Sequence, residues 1–230
     1  MSLNRTLIKR SVTDIHIITY LPATGGNFMT RLFSLSDNVK MPWKRGSCGC
    51  LPVNSTFEEK WKWLSFKESH VKNWGQEAHL LPFGGTILNE YDIPGGKENK
   101  NLVICKHFSG WKLTCNSDKS FKFTDDNINE HYYYIKVSEE NWHFMNRYMN
   151  FKISPQEKED YDWVLSNIDI KPIDLDLMLT GDDGFLSEYK RVCAIMNLGP
   201  IPDDKALEFF NNWRYLRVDN PEIDRNMNSG

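Results

Sequence analysis

Residues 15–28 read IHIITYLPATGGNF, and this stretch decides the fold. Its β-branched residues predict a strand, the Pro and Gly residues predict a tight loop, and residues 28–35 have the apolar spacing of an amphipathic helix. Gly25 and Gly26 stand where this helix begins. Because the first amides of a helix are unpaired and the helix dipole is positive there, the loop is predicted to bind a phosphate or a sulfate.

The composition of the chain is that of an ordinary globular protein. Its 230 residues are 40% hydrophobic and 26% charged, with a net charge of −3. The sequence has neither a membrane-span-length apolar run nor a secretory signal, so we expect a soluble, cytoplasmic protein with no membrane partner. The modest charge does not favour nucleic acid as a partner.

The five cysteines are an odd number in a chain without a secretory signal, so no disulfide framework is expected. Cys48 and Cys50, together with His70 or His79, are the only arrangement that resembles a metal site. A C-x-C pair without a second matching pair is weak evidence for zinc, and no metal is predicted.

Strand-like and helix-like segments alternate along most of the chain. Residues 102–106 and 132–137 predict strands; Ser138 is a good N-cap for a helix after the second, and Ser154 to Glu157 form a capping-box pattern. This alternation predicts an α/β fold with a central, mostly parallel sheet flanked by helices.

The C-terminal part shows a further alternation. Residues 173–179 have the period of two that predicts a strand. Asp182 or Asp183 is predicted to cap the next helix, which Gly199-Pro200 ends, and Asp203 opens the last one.

We predict one domain over residues 1–230, with a helical and loop insertion at about 40–100. The insertion has a capping-box pattern from Thr56 to Glu59 and is rich in tryptophan. It serves either as a lid or acceptor-binding element or simply as part of the core, and the sequence leaves both open.

Taken in order, these units resemble the P-loop sulfotransferase family. Residues 20–28 look like that family's 5′-phosphosulfate loop, and residues 106–108 are similar to its strand that ends in a histidine base. Residues 132–137 and the capped helix after them look like its 3′-phosphate element, with Lys136 where an arginine is usual. Residues 198–202 resemble its late F-L-G-L-P stop.

The resemblance implies a P-loop NTPase-like three-layer fold and sulfuryl transfer from 3′-phosphoadenosine 5′-phosphosulfate to a hydroxyl or amine of an unknown acceptor. It implies His107 as the general base. Lys106 is the predicted catalytic cation, and Arg31 or a residue of the 40–50 loop are the alternatives that could replace the basic residue missing at Ala23. The implied residues for binding the nucleotide donor are Thr24, Gly25, Gly26, Asn27, Lys136 and Arg147.

One departure keeps two other functions open. Ala23 stands where the family's loop has a basic residue, so the chain could instead be a catalytically degenerate P-loop fold that serves as a binding module. A P-loop kinase is the weakest alternative, because the sequence contains no Gly-Lys-Ser or Gly-Lys-Thr.

Overall fold

The computed structural model describes residues 13–39, 43–44, 56–64, 91–92, 100–107, 128–147 and 151–220. Its strands are β1 (Thr13–Tyr20), β2 (Trp43–Lys44), β3 (Tyr91–Asp92), β4 (Lys100–His107), β5 (Ile128–Lys136) and β6 (Ile170–Asp174). Its helices are α1 (Gly26–Ser34), α2 (Phe57–Leu64), α3 (Glu139–Asn146), α4 (Pro155–Asn167), α5 (Leu175–Leu179), α6 (Asp182–Ile195) and α7 (Asp203–Arg214), followed by a π-helical turn, Tyr215–Asp219.

Four strands form one sheet in the spatial order β4-β1-β5-β6, and every neighbouring pair is parallel. The predicted α/β class with a parallel sheet is therefore confirmed. β2 and β3 form a separate antiparallel pair. The apolar run of β1 follows from its central position, because Ile15, Ile17 and Ile18 are all buried although they lie on both faces of the sheet.

Helices pack on both faces of the sheet. On one face, Ile18 of β1 and Ile135 of β5 belong to a large core with α1, α6 and α7. On the other, Ile15 and Ile17 pack with Val164 of α4. Side chains of a strand point alternately to its two faces, so β1 supplies both cores.

Three predicted helix starts are confirmed. The Ser138 hydroxyl accepts a hydrogen bond from the Asn141 amide at the start of α3. Ser154 forms a capping box at α4. In front of α2, the Thr56 amide donates to the Glu59 carboxylate at 2.8 Å, and the Glu59 amide donates back to the Thr56 hydroxyl at 3.3 Å.

The predicted strand over residues 173–179 is wrong. β6 ends at Asp174 and α5 begins at the next residue. The Asp174 carboxylate accepts a hydrogen bond from the Leu177 amide at 3.1 Å, so it caps the helix that replaces the expected strand.

The predicted caps of α6 also need correction. Gly181 is the N-cap residue and makes no side-chain hydrogen bond, while Asp182 and Asp183 lie in the first turn. There they still interact favourably with the helix dipole. At the other end, α6 stops before Gly199-Pro200, because Asn197 takes the left-handed conformation that ends many helices.

The last two helices supply large side chains to the core at helical spacing. Phe185, Tyr189 and Val192 of α6 and Phe210 and Trp213 of α7 are all buried.

Much of the predicted insertion at 40–100 lies outside the described residues, and so do Cys48, Cys50, His70 and His79. Within the described residues, no helix is both long and apolar enough to cross a membrane, and no group of three or more His, Cys, Asp or Glu residues is placed to hold a metal ion.

Candidate functional site

The loop between β1 and α1 is a tight turn held by its own backbone and one side chain. Ala23 (φ 69°) and Gly25 (φ 77°) both adopt the left-handed conformation. Thr24 is fully buried, and its hydroxyl donates to the Leu21 carbonyl at 2.8 Å. That hydroxyl proton is therefore used inside the loop, whereas the sequence prediction placed it on a bound anion.

Packing explains the two glycines of the loop. A Cβ placed on Gly25 would lie 3.0 Å from the Trp213 ring, and a Cβ placed on Gly26 would lie 2.4 Å from the Tyr20 ring. Trp213 in turn stacks on Phe28, with 4.2 Å between ring centroids. A larger residue at either glycine would displace an aromatic ring.

The start of α1 has the uncapped backbone amides from which the sequence analysis predicts anion binding. Among the described residues, no side chain caps this helix. The amides of Gly26 and Asn27 lie in its first turn, where the helix dipole favours negative charge. The backbone can therefore bind an anion even though the Thr24 hydroxyl is used elsewhere.

The strand predicted to carry the histidine base, β4, ends at the same edge of the sheet as β1. β4 pairs with β1 so that Lys106 lies opposite Thr19 and His107 lies opposite Tyr20. Neighbouring strands are about 4.8 Å apart, so the His107 backbone lies next to the last residue before the loop.

The strand predicted to bind the 3′-phosphate, β5, pairs with the other side of β1 and ends at Lys136. The Lys136 ammonium donates to the Asp174 carboxylate at 2.9 Å. This hydrogen bond, together with the negative charge of Asp174, raises the pKa of Lys136. Lys136 thus reaches the predicted edge, but a carboxylate of the same chain already pairs with it.

A second carboxylate occupies the start of α3. Asp176 accepts hydrogen bonds from the Ser138 amide at 2.7 Å, the Ser138 hydroxyl at 3.1 Å and the Asn141 side chain at 2.8 Å. Asp174 and Asp176 thus bind Lys136 and Ser138, in the element where the resemblance implies a 3′-phosphate. A phosphate there would compete with these two carboxylates.

Arg147 lies apart from Lys136, at the opposite end of α3 and about 12 Å along the helix axis. Its guanidinium donates to the Val218 carbonyl at 2.7 Å and lies 3.7 Å from the centre of the Phe144 ring. Arg147 therefore joins α3 to the π-helical turn, and the structure does not bring it to the end of β5.

Sequence reasoning missed one contact that positions the loop. The indole N–H of Trp142, on α3, donates to the Pro22 carbonyl at 2.8 Å. Since α3 follows β5, this bond connects the two predicted phosphate elements. The helical spacing of Trp142 was visible in the sequence, but its partner 120 residues away was not.

No protein-family model, curated protein or solved structure matches this chain. The chemistry of the site therefore has to be judged from its own residues. The start of α1 has no side-chain cap among the described residues, and its first amides suit an anion. At the end of β5, Lys136 and Ser138 already bind Asp174 and Asp176.

Proposed function

We propose that this chain has a P-loop-like fold and acts as a sulfotransferase that uses 3′-phosphoadenosine 5′-phosphosulfate. The observation that carries the proposal is the position of β1 between β4 and β5. Because all three strands are parallel, the loop, His107 and Lys136 belong to one edge of the sheet. Open parallel sheets bind their ligands at this edge, where the strand order reverses.

Each residue has a defined task in this proposal. The donor supplies an activated sulfuryl group. The amides of Gly25, Gly26 and Asn27 bind the oxygens of its 5′-phosphate, and His107 accepts the proton of the acceptor hydroxyl or amine. Lys106 provides the positive charge that Ala23 does not, which matters because one lost oxyanion donor costs about 3 kcal/mol of barrier.

The first experiment is ligand-dependent thermal stability. We expect 3′-phosphoadenosine 5′-phosphate to stabilise the protein and ATP with Mg²⁺ not to. A ligand at 100 times its dissociation constant adds about 2.7 kcal/mol to the free energy of unfolding. Stabilisation by ATP with Mg²⁺ alone would instead favour the kinase alternative.

The second experiment tests the base. His107→Ala is expected to abolish sulfuryl transfer while the affinity for 3′-phosphoadenosine 5′-phosphate stays within about twofold. The matched control is His143→Ala, since His143 is an exposed residue of α3. Transfer that survives His107→Ala rules out this histidine as the base.

A second candidate function has specific support. Ala23 lacks the loop cation, and Asp174 and Asp176 occupy the position implied for a phosphate. Both features favour a binding module that keeps the fold without the chemistry. This alternative predicts that neither nucleotide stabilises the protein.

A further inference from the structure

A cleft of about 980 Å³ opens between α3 and the start of α4. Leu21 and Val137, which directly follow β1 and β5, form its inner end. The cleft lies at the β1–β5 side of the sheet edge, whereas His107 belongs to β4 on the other side of β1. The cleft and His107 therefore lie at the same edge of the sheet but on opposite sides of β1.

The walls of the cleft are largely apolar and aromatic. Trp142 comes from α3, Tyr161 comes from α4, and Phe151 comes from the segment between these helices. Trp142 is held in place by its bond to Pro22, and Phe151 is 47% exposed. Small-molecule sites typically measure 300–1,000 Å³ and combine such walls with a few polar groups, so this cleft matches a small ligand with a planar apolar body.

Two lysines line the cleft. Lys152 lies two residues before Ser154, the N-cap residue of α4, and Lys158 lies near the start of that helix. Both are exposed, and within the described part of the chain neither side chain makes a hydrogen bond or an ion pair. Their ammonium groups are free to bind an anion.

The acidic groups of the lining do not pair with these lysines. Glu139 lies 3.6 Å from His143, and Asp162 makes no ion pair among the described residues. With Arg147 included, the lining has three permanent positive charges against two negative ones.

We propose that this cleft binds a planar apolar molecule that bears one anionic group. The apolar body packs against Trp142, Phe151 and Tyr161, and the anionic group contacts Lys152 and Lys158. This site goes beyond the proposed function and does not depend on it, because these five contact residues differ from the predicted donor-binding residues and base; of the lining, only Arg147 was also implied for donor binding.

The test uses 2-naphthalenesulfonate as the probe and isothermal titration calorimetry on the full chain. We expect it to bind at least about tenfold more tightly than 2-naphthol, which lacks the anion, or sulfate, which lacks the apolar body. Lys152→Gln/Lys158→Gln should weaken binding of the sulfonate about tenfold and leave binding of 2-naphthol unchanged. Lys171→Gln is the matched control, since Lys171 is an exposed lysine of β6.

Several results would overturn the proposal. They are equal affinity for 2-naphthalenesulfonate and 2-naphthol, an undiminished affinity in the double variant, or an equal loss in the Lys171→Gln control. Saturating 3′-phosphoadenosine 5′-phosphate should not displace the sulfonate, and competition between them would assign the cleft to the nucleotide instead. If the nucleotide fails to bind while the sulfonate binds, the proposed function fails and this proposal stands.

Discussion

At the scale of single residues, a histidine inside the sheet sets a limit on stability in acid. His16 is 3% exposed; its two ring nitrogens lie 3.2 Å from the Tyr133 hydroxyl and 3.4 Å from the Asn101 side-chain oxygen. Its ring stacks on His131, which contacts Asp14 at 3.1 Å. The pKa of His16 is lowered to about 4, mainly by burial and in part by the neighbouring His131, while Asn101 and Asp14 oppose the shift.

The lowered pKa predicts acid destabilisation. Between pH 6.5 and 4, His16 takes up a proton in the unfolded chain but stays neutral in the folded one, so the free energy of unfolding decreases as the pH falls. The decrease from this residue reaches about 3 kcal/mol. Urea unfolding at pH 7 and pH 4.5 gives the free energy of unfolding at each pH. The difference between the two values should be smaller in His16→Gln than in the parent. His143→Gln should keep the parent difference, and an unchanged difference in His16→Gln contradicts the prediction.

The packing of the loop gives a second prediction at this scale. Gly26→Ala places a methyl group against the Tyr20 ring and should lower the free energy of unfolding by about 2 kcal/mol. Gly199→Ala is the control, because the nearest atom to its Cβ is the Ser36 hydroxyl oxygen at 3.9 Å. Chemical denaturation of both variants checks the prediction, and equal stabilities would show that Tyr20 moves aside at no cost.

At the scale of elements, one lysine connects α2 to the end of α1. Lys60 is 1% exposed, and its ammonium donates to the carbonyls of Ser36 at 2.6 Å and Val39 at 2.7 Å. These carbonyls lie two and five residues after the last residue of α1, so Lys60 joins α2 to the segment that leaves α1.

Removal of this contact should destabilise the protein. Lys60→Met keeps the apolar stem but leaves two carbonyl groups without their ammonium donor, at a cost of about 2 kcal/mol in the free energy of unfolding. Lys171→Met, at an exposed position, should lower the free energy of unfolding by at most about 0.5 kcal/mol. Thermal and urea unfolding measure both variants, and similar losses would mean that the buried contact adds nothing.

Asp174, at the end of β6, and Asp176, in the first turn of α5, offer a test of the predicted 3′-phosphate position. Asp174→Asn/Asp176→Asn removes two negative charges but keeps side-chain oxygens that can accept hydrogen bonds. The affinity for 3′-phosphoadenosine 5′-phosphate should rise about tenfold, because the phosphate no longer competes with two anions. Adenosine 5′-phosphate, which lacks the 3′-phosphate, should bind the variant and the parent equally. An equal gain for both nucleotides would contradict this position.

The first residues of helices were predictable where the capping residue and its partner are close in sequence. The caps at Ser138, Ser154 and Thr56 involve partners three residues away, and all three are confirmed. The strand expected at 173–179 is wrong because an apolar period of two does not exclude a short helix when a residue such as Asp174 can cap it.

At the scale of the whole molecule, the parallel α/β class followed from alternating segments, but the composition of the site did not. Which carboxylate pairs with Lys136, and which ring covers Gly25, depends on residues 38 and 188 positions away. A single sequence has no local signal for such contacts. The strand order β4-β1-β5-β6 likewise comes only from the structure.

The central position of β1 also has a consequence for how the chain reaches its native state. Thr13 pairs with Lys100 on one side and Ile128 on the other, so both sheet neighbours of β1 come much later in the chain and must be synthesised before β1 can pair. Contacts so distant in sequence slow folding. In pulse-labelled hydrogen exchange during refolding, we expect the amides of Ile17 and Ile18 to become protected together with those of β5. Earlier protection in β1 would contradict this order. A nascent chain of this protein thus carries an apolar strand without sheet partners until β4 and β5 have been made, and an unpaired apolar strand is prone to aggregate.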